Sequence, residues 1–296
     1  AFISKTALPY FYEKKLQFKV DKLIIDWPEI DLIYSKKNKD LRSKITLEGK
    51  ESFSKFENFL RINLKEFLPK FSVENFHEIK KIANSKSYPQ TPKFIFTSML
   101  YAYDESFKIY AALQTEKKVP YYVGQHGQNY FTQIGHKFLP ELDFSDNFIT
   151  WGFNSGEKLK GNFNFKTIGK SYKFKNNGNL IIFFPWLGTS IHTLHSNYID
   201  IFDRIKNLTN ILQNLDQDIK KKTILRLNKS YYENLFGIKC FDLFKNLGFQ
   251  CDDGSSDVNT LIKNCKLSFF TYDSTGVLEN LVLNIPTVFL NKKDSP

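Results

Sequence analysis

From Lys93 onward the apolar positions follow two rhythms. Short unbroken runs such as "KFIFT", "VPYYVG", "NFITWG", "LIIFF", "TILRL", "FQC", "LSFFT" and "PTVFL" are rich in aromatic and β-branched residues, as buried strands are. Between them lie longer stretches whose apolar residues recur every three or four positions, among them "DESFKIYAALQTEKK", "NYIDIFDRIKNLTNIL", "CFDLFKNLG", "VNTLIKNC" and "TGVLENLVLN". Short strands alternating with longer helices predict βαβ units and a parallel sheet.

Residues 1 to about 90 lack this grammar and mix brief apolar stretches with lysine clusters such as "YSKKNKDLRSK". Their one periodic part is "FSKFENFLRINLKEFL", in which Phe53, Phe56, Phe59, Leu60, Leu64 and Phe67 recur at helical spacing and predict a helix packed against the body. The chain is divided into an N-terminal domain, 1–165, with a helical lead-in, and a C-terminal domain, 166–296, with the turn-rich "NNGN" at 176–179 read as linker. A length of 296 residues suits two domains rather than one core. The first residue is Ala1, and Pro296 follows closely on a strand-like run, so a fragment truncated at both ends is expected.

Composition narrows the class. A hydrophobic share of 42% with 25% charged residues is that of a water-soluble globular protein, and no apolar run reaches membrane-spanning length. Cys240, Cys251 and Cys265 have no metal-ligand spacing and sit in apolar or strand-like contexts, which predicts buried thiols, a reducing compartment and a cytoplasmic location. The net charge of +11 is carried almost wholly by lysine, with only Arg42, Arg61, Arg204 and Arg226 as arginines, so a solvated basic surface is expected rather than a nucleic-acid groove. Peripheral attraction to an anionic inner-membrane surface is compatible with it.

Ligands of open parallel sheets bind beyond the carboxyl ends of the strands, and that rule selects the candidate residues. After "KFIFT" come Thr97 and Ser98 and then Asp104 and Glu105, which suit a helix cap and a catalytic acid or base equally. After "YYVG" comes His126, flanked by Gln125 and Gly127. Glycines there permit a tight path and close approach of a ligand, and imidazole can serve as a base, although a solitary histidine more often just hydrogen-bonds its loop. His77, His136, His192 and His195 show no metal spacing and are read as surface or rim residues.

The most informative stretch is "LSFFTYDSTGVLENLVLNIPTVFL". A strand runs to Thr271, Asp273, Ser274, Thr275 and Gly276 turn the chain, and Val277, Leu278, Leu281 and Val282 form the apolar face of a following helix. Hydroxyls and backbone N–H groups at a helix start suit a phosphate, and they equally suit a plain cap. Arg226 ends the strand "TILRL", where its fork would hold phosphate or a structural carboxylate. Asp252 and Asp253 in "CDDG" would contact a base or ribose or cap the next helix.

The order of "FTSMLYAYDESFK", "GQHGQNY", "DNFITWGF", "LRLN", "CDDG" and "YDSTGVLENLVLNIPTV" resembles the transferase family encoded in bacterial O-antigen and surface-polysaccharide gene clusters. More distantly, the last motif is similar to the donor-binding segment of capsule Kdo transferases and CDP-glycerol glycerophosphotransferases. The resemblance implies an α/β fold of GT-B type, two Rossmann-like domains facing a cleft, the first for the acceptor and the second for a nucleotide-activated donor. It implies catalytic roles for Glu105 or His126, with Asp104, Lys108, Gln125 and Gly127 lining the cleft. Arg226, Asp253, Asp273, Ser274, Thr275, Gly276 and Glu279 would bind the donor. Related sequences carry a second glycine where Gln128 stands and a proline soon after the strand-end arginine, where this chain reads Asn228-Lys229.

The function implied is a glycosyltransferase that moves a sugar from a nucleotide donor, with a CMP-linked keto-sugar acid suggested by the kinship, to a saccharide or lipid-linked saccharide acceptor. No metal or other cofactor is required if arginine, hydroxyls and a helix N-terminus carry the departing phosphate's charge. A CDP-alditol phosphotransferase or a sugar-nucleotide epimerase on the same scaffold is the alternative, and a non-catalytic polysaccharide- or nucleic-acid-binding module a third reading.

Overall fold

A computed structural model describes residues 1–21, 35–46, 54–85, 88–128, 130, 139–185, 198–233 and 235–290. It divides the chain into two units, Ala1–His126 with Pro140–Phe165, and Gly127–Leu139 with Lys166–Pro296.

The first unit is built on a parallel sheet whose strands are β1 (Phe2–Ile3), β2 (Ile95–Thr97), β3 (Tyr121–Gly124), β4 (Asn147–Thr150) and β5 (Leu159–Gly161), adjacent in that order. Ile95 lies opposite Tyr121, and Tyr122 opposite Asn147. Between β1 and β2 the chain forms α1 (Tyr10–Asp21), α2 (Lys39–Ser43), α3 (Lys55–Phe67), α4 (Lys70–Val73) and α5 (Phe76–Ala83). Then come α6 (Leu100–Tyr103), α7 (Glu105–Glu116) and α8 (Pro140–Phe144). Aromatic packing closes one face of the sheet, with the Phe2 ring 5.6 Å from Phe107 and 5.3 Å from Tyr110. Ala1, Ile3, Phe96 and Phe165 fill the other. The lysine-rich lead-in is pinned by buried Arg42, which donates to Glu74 at 2.7 and 2.8 Å and to the Lys65 carbonyl.

The periodic helix forms where expected but does not pack as expected. Phe53 lies outside the described residues, and α3 buries none of its own: Phe56, Phe59, Leu60, Leu64 and Phe67 are all exposed, Phe67 by 77%. Helical spacing fixed the stripe but could not say what, if anything, covers it.

The second unit holds β6 (Asn179–Phe183), β7 (Thr223–Arg226), β8 (Gln250–Asp252), β9 (Cys265–Phe270) and β10 (Thr287–Phe289), all parallel, in the order β10-β9-β6-β7-β8. Its helices are α9 (Tyr198–Gln213), α10 (Gln217–Lys221), α11 (Leu235–Asn246), α12 (Val258–Lys263) and α13 (Thr275–Val282). The chain builds outward from β6 to β8 and then returns to β6's other side with β9. The strand order therefore reverses between β6 and β9, the place where open α/β sheets bind ligands. Leu208, Leu212, Leu225, Tyr231 and Phe244 make the core on one face, and Ile181, Phe183, Phe270, Val277 and Ile285 on the other. Phe183 and Phe270 stack across the reversal at 4.5 Å.

Two further expectations need correcting. The "NNGN" segment is the turn into β6 within the second unit, not a linker: a β-carbon on Gly178 would stand 2.6 Å from the Asn264 carbonyl, so only glycine fits. In α13 the buried face is Val277 and Asn280, continued by Leu283, while Leu281 and Val282 are 53% and 60% exposed. The three-residue spacing of 277, 280 and 283 defines that face, and a polar residue at its centre hid it. The thiols follow the sequence: Cys240 and Cys265 are buried, Cys251 is half-buried, and burial pushes each thiol up to about 11. No helix among the described residues is long and apolar enough to cross a membrane.

Candidate functional site

In the first unit the sequence-selected residues sit at the strand ends, where most are engaged in local structure. Thr97 accepts the Leu100 N–H at 3.2 Å, and Ser98 donates to the Thr6 carbonyl at 2.9 Å, both side chains fully buried. Asp104 caps α7, accepting the Phe107 N–H at 2.9 Å and the Ser106 hydroxyl at 2.7 Å. Glu105 pairs with Lys108 one turn along. Gln125 is buried and bridges strands, donating its N–H to the Ile149 carbonyl and accepting the Trp151 N–H through Oε1, both at 2.8 Å. His126 follows it, half-buried.

The glycines around His126 mark close packing rather than an open wall. A β-carbon on Gly124 would lie 2.6 Å from the Ser98 hydroxyl and 2.7 Å from Phe165. Gly127 belongs to the second unit, where its β-carbon would come within 3.0 Å of the Thr275 hydroxyl. His77 is exposed, and His136, His192 and His195 lie outside the described residues.

In the second unit the candidates gather at the carboxyl edge of the sheet. Thr271, just past β9, donates its N–H and its hydroxyl to the Phe183 carbonyl at 3.2 and 3.0 Å, joining the ends of β9 and β6. Ser274 is the N-cap of α13 and accepts the Gly276 N–H at 3.2 Å. Thr275 accepts the backbone N–H of Gln128 at 3.1 Å, and Asp273 accepts that residue's side-chain N–H. Glu279 faces Lys166 at 3.6 Å. Gly276 is a packing glycine, since a β-carbon there would meet the Phe270 ring at 2.8 Å.

Arg226 is not brought to this turn. Its guanidinium is directed to β8, pairing with Asp252 and donating to the Gly254 carbonyl at 3.0 Å. β7 and β9 are separated by β6, which puts the two strand ends roughly 10 Å apart. Gly254 turns at φ +88°, a conformation glycine adopts freely, and Asp253 beside it is exposed. The Asp253 carboxyl is held below the usual range by hydrogen bonds from Ser255.

The arginine at the β6–β9 reversal is Arg204 of α9, whose Nη1 donates to the Thr271 carbonyl. With Phe184, Pro185, Tyr231 and Thr271 it lines a narrow cleft. Tyr231 is fully buried with no hydrogen-bond partner for its hydroxyl among the described residues, and burial pushes its phenol well up. Sequence reasoning passed over both. The scarcity of arginine was a signal for Arg204, but nothing in a helix sequence says which loop an arginine faces. Among the described residues no cluster of three His, Cys, Asp or Glu side chains could hold a metal ion.

Two parallel α/β sheets, one with its strand order reversing beside a strand–turn–helix motif, define a protein of the Rossmann-like class. A family model described as LIC12162 family transferase matches residues 1–295, and the chain belongs to that family. It is thus a transferase. No curated protein matches the chain.

Proposed function

We propose that this transferase is a glycosyltransferase of GT-B type acting in bacterial surface-polysaccharide synthesis, moving a sugar from a nucleotide donor to a saccharide or lipid-linked saccharide acceptor. The observation that carries the reading is the Asp273–Thr275 turn, which opens α13 at the strand-order reversal of the second unit. A donor's phosphate would lie against that turn, stabilised by the helix N-terminus.

In the transfer an acceptor hydroxyl oxygen bonds to the donor's anomeric carbon as that carbon's bond to the phosphate oxygen breaks. The hydroxyl proton passes to a base, and the phosphate leaves with the bonding pair. Two residues are candidates for the base. Glu105 is committed to Lys108, whereas an imidazole titrates near neutrality, so His126 is placed first. Asp253, exposed in its loop, and Glu279 are available for the nucleoside.

The experiment is product analysis with the full chain, a panel of CMP-, CDP-, UDP- and GDP-activated donors and a saccharide acceptor. A glycosidic bond with release of the nucleotide supports the reading. A phosphodiester product would replace it with alditol-phosphate transfer, and an epimerised donor with a sugar-nucleotide epimerase.

A further inference from the structure

We infer that the donor's phosphate is held by Arg204 and Tyr231 in the cleft between the ends of β6 and β9, and that Arg226 plays no part in holding it. The inference rests on the transferase reading but specifies a subsite that the sequence motifs do not contain.

Three features converge on that cleft. The chain uses arginine only four times against 38 lysines, and Arg42, Arg61 and Arg226 are paired with Glu74, Glu57 and Asp252. Arg204 is held by the Thr271 carbonyl at the strand-order reversal. A guanidinium fixed at one edge presents a planar fork to an anion, which an ammonium cannot do.

The second feature is the Tyr231 hydroxyl, fully buried, lining the same cleft and lacking a hydrogen-bond partner. Buried hydroxyls in native proteins are nearly always satisfied, so an orphan beside a guanidinium points to a missing acceptor. A phosphate oxygen supplies one. The third is position: Thr271 stands three residues before Ser274, the cap of α13, so an anion in the cleft also adjoins that helix's positive end. Arg226, by contrast, is turned to the far side of β7, where Asp252 and Gly254 occupy it.

The test is a thermal-shift titration of the full chain with inorganic pyrophosphate and with CMP, CDP, UDP and GDP, in the wild type and in Arg204→Ala, Arg204→Lys and Tyr231→Phe. Pyrophosphate and at least one nucleotide should raise the wild-type Tm. Their apparent Kd should weaken about tenfold or more in Arg204→Ala and less in Tyr231→Phe. Should Arg204→Ala fail to fold, Arg204→Lys decides, since it keeps the charge and loses the fork. Weaker binding at an unchanged unliganded Tm supports the subsite, and wild-type affinity overturns it. Nucleotide binding that ignores Arg204 would leave the transferase reading intact and reduce Arg204 to a strand-end brace. A response to pyrophosphate that needs Arg204, without any nucleotide response, would uphold the anion site and sink nucleotide-sugar transfer. Silence toward every ligand would overturn both.

Discussion

Gly276 lies against the ring of Phe270, so closely that a β-carbon at 276 would stand 2.8 Å from the nearest ring atom. In an ordinary helix, replacing glycine with alanine stabilises by roughly 0.5–1 kcal/mol. Overpacking a filled site costs about 1–3 kcal/mol, so here the sign reverses. Gly276→Ala should lower stability by about 1 kcal/mol in guanidinium denaturation, and Phe270→Leu in the same chain should restore part of it. A stabilised Gly276→Ala would show that the glycine is there for the ligand after all.

Ser274 invites a substitution that separates its two readings. It caps α13, and losing such a cap costs about 1 kcal/mol, so Ser274→Ala confounds folding with binding. Aspartate is also a strong N-cap, yet it sets a carboxylate where a phosphate would lie. Ser274→Asp should therefore keep the wild-type Tm and abolish nucleotide-induced stabilisation. Retained nucleotide response in this variant would mean that the turn only starts a helix.

Much of the fold was legible in the sequence because its strands are bounded apolar runs, and eight of the ten appear where "KFIFT" through "PTVFL" placed them. The exceptions, Phe2–Ile3 and Leu159–Gly161, are too short to carry a period, and the second is half polar. The site was legible as loops but not as pairings. Arg226 ends its strand as read, but that its partner would be Asp252 depends on β8 lying beside β7, which no spacing states. Gln128, read as a departure from a glycine, proves to brace Thr275 and Asp273. Arg204 reaches Thr271 across 67 residues of chain, a contact that exists only once the sheet has formed.

The Arg226–Asp252 pair is mostly buried, with side-chain exposures of 16% and 8%. Removing one member of such a pair strands the other's charge and costs about 3 kcal/mol or more. Arg226→Ala should thus be destabilised by that order in urea denaturation, and adding Asp252→Leu should recover much of the loss. A near-neutral Arg226→Ala would indicate that the guanidinium is not committed to Asp252.

Glu74 gives the lead-in helices an acid-sensitive clasp. Hydrogen bonds from Arg42, and next from the Asn38 N–H, lower its carboxyl from an ordinary 4.5 to about 2. A depressed folded-state pKa contributes stability that is present above the unfolded value and is lost as pH falls through the folded one. Glu74→Gln should therefore be less stable than wild type at neutral pH, with the gap closing between about pH 4.5 and 2. A gap that stays constant across that window would assign the effect to packing rather than to charge.

The apolar stripe of α3 supplies the last contrast. Had Phe56 and Phe59 packed into a core as their spacing predicts, truncating either would cost about 3–5 kcal/mol. They are 69% and 58% exposed, and substitutions at such positions usually stay within about 0.5 kcal/mol. The double variant Phe56→Ser, Phe59→Ser should accordingly unfold at the wild-type guanidinium midpoint. It should also be more soluble, because a contiguous exposed apolar face promotes association. A midpoint lowered by several kcal/mol would mean that in solution the stripe is covered by another part of the chain, and that α3 is a packing helix as its sequence suggests.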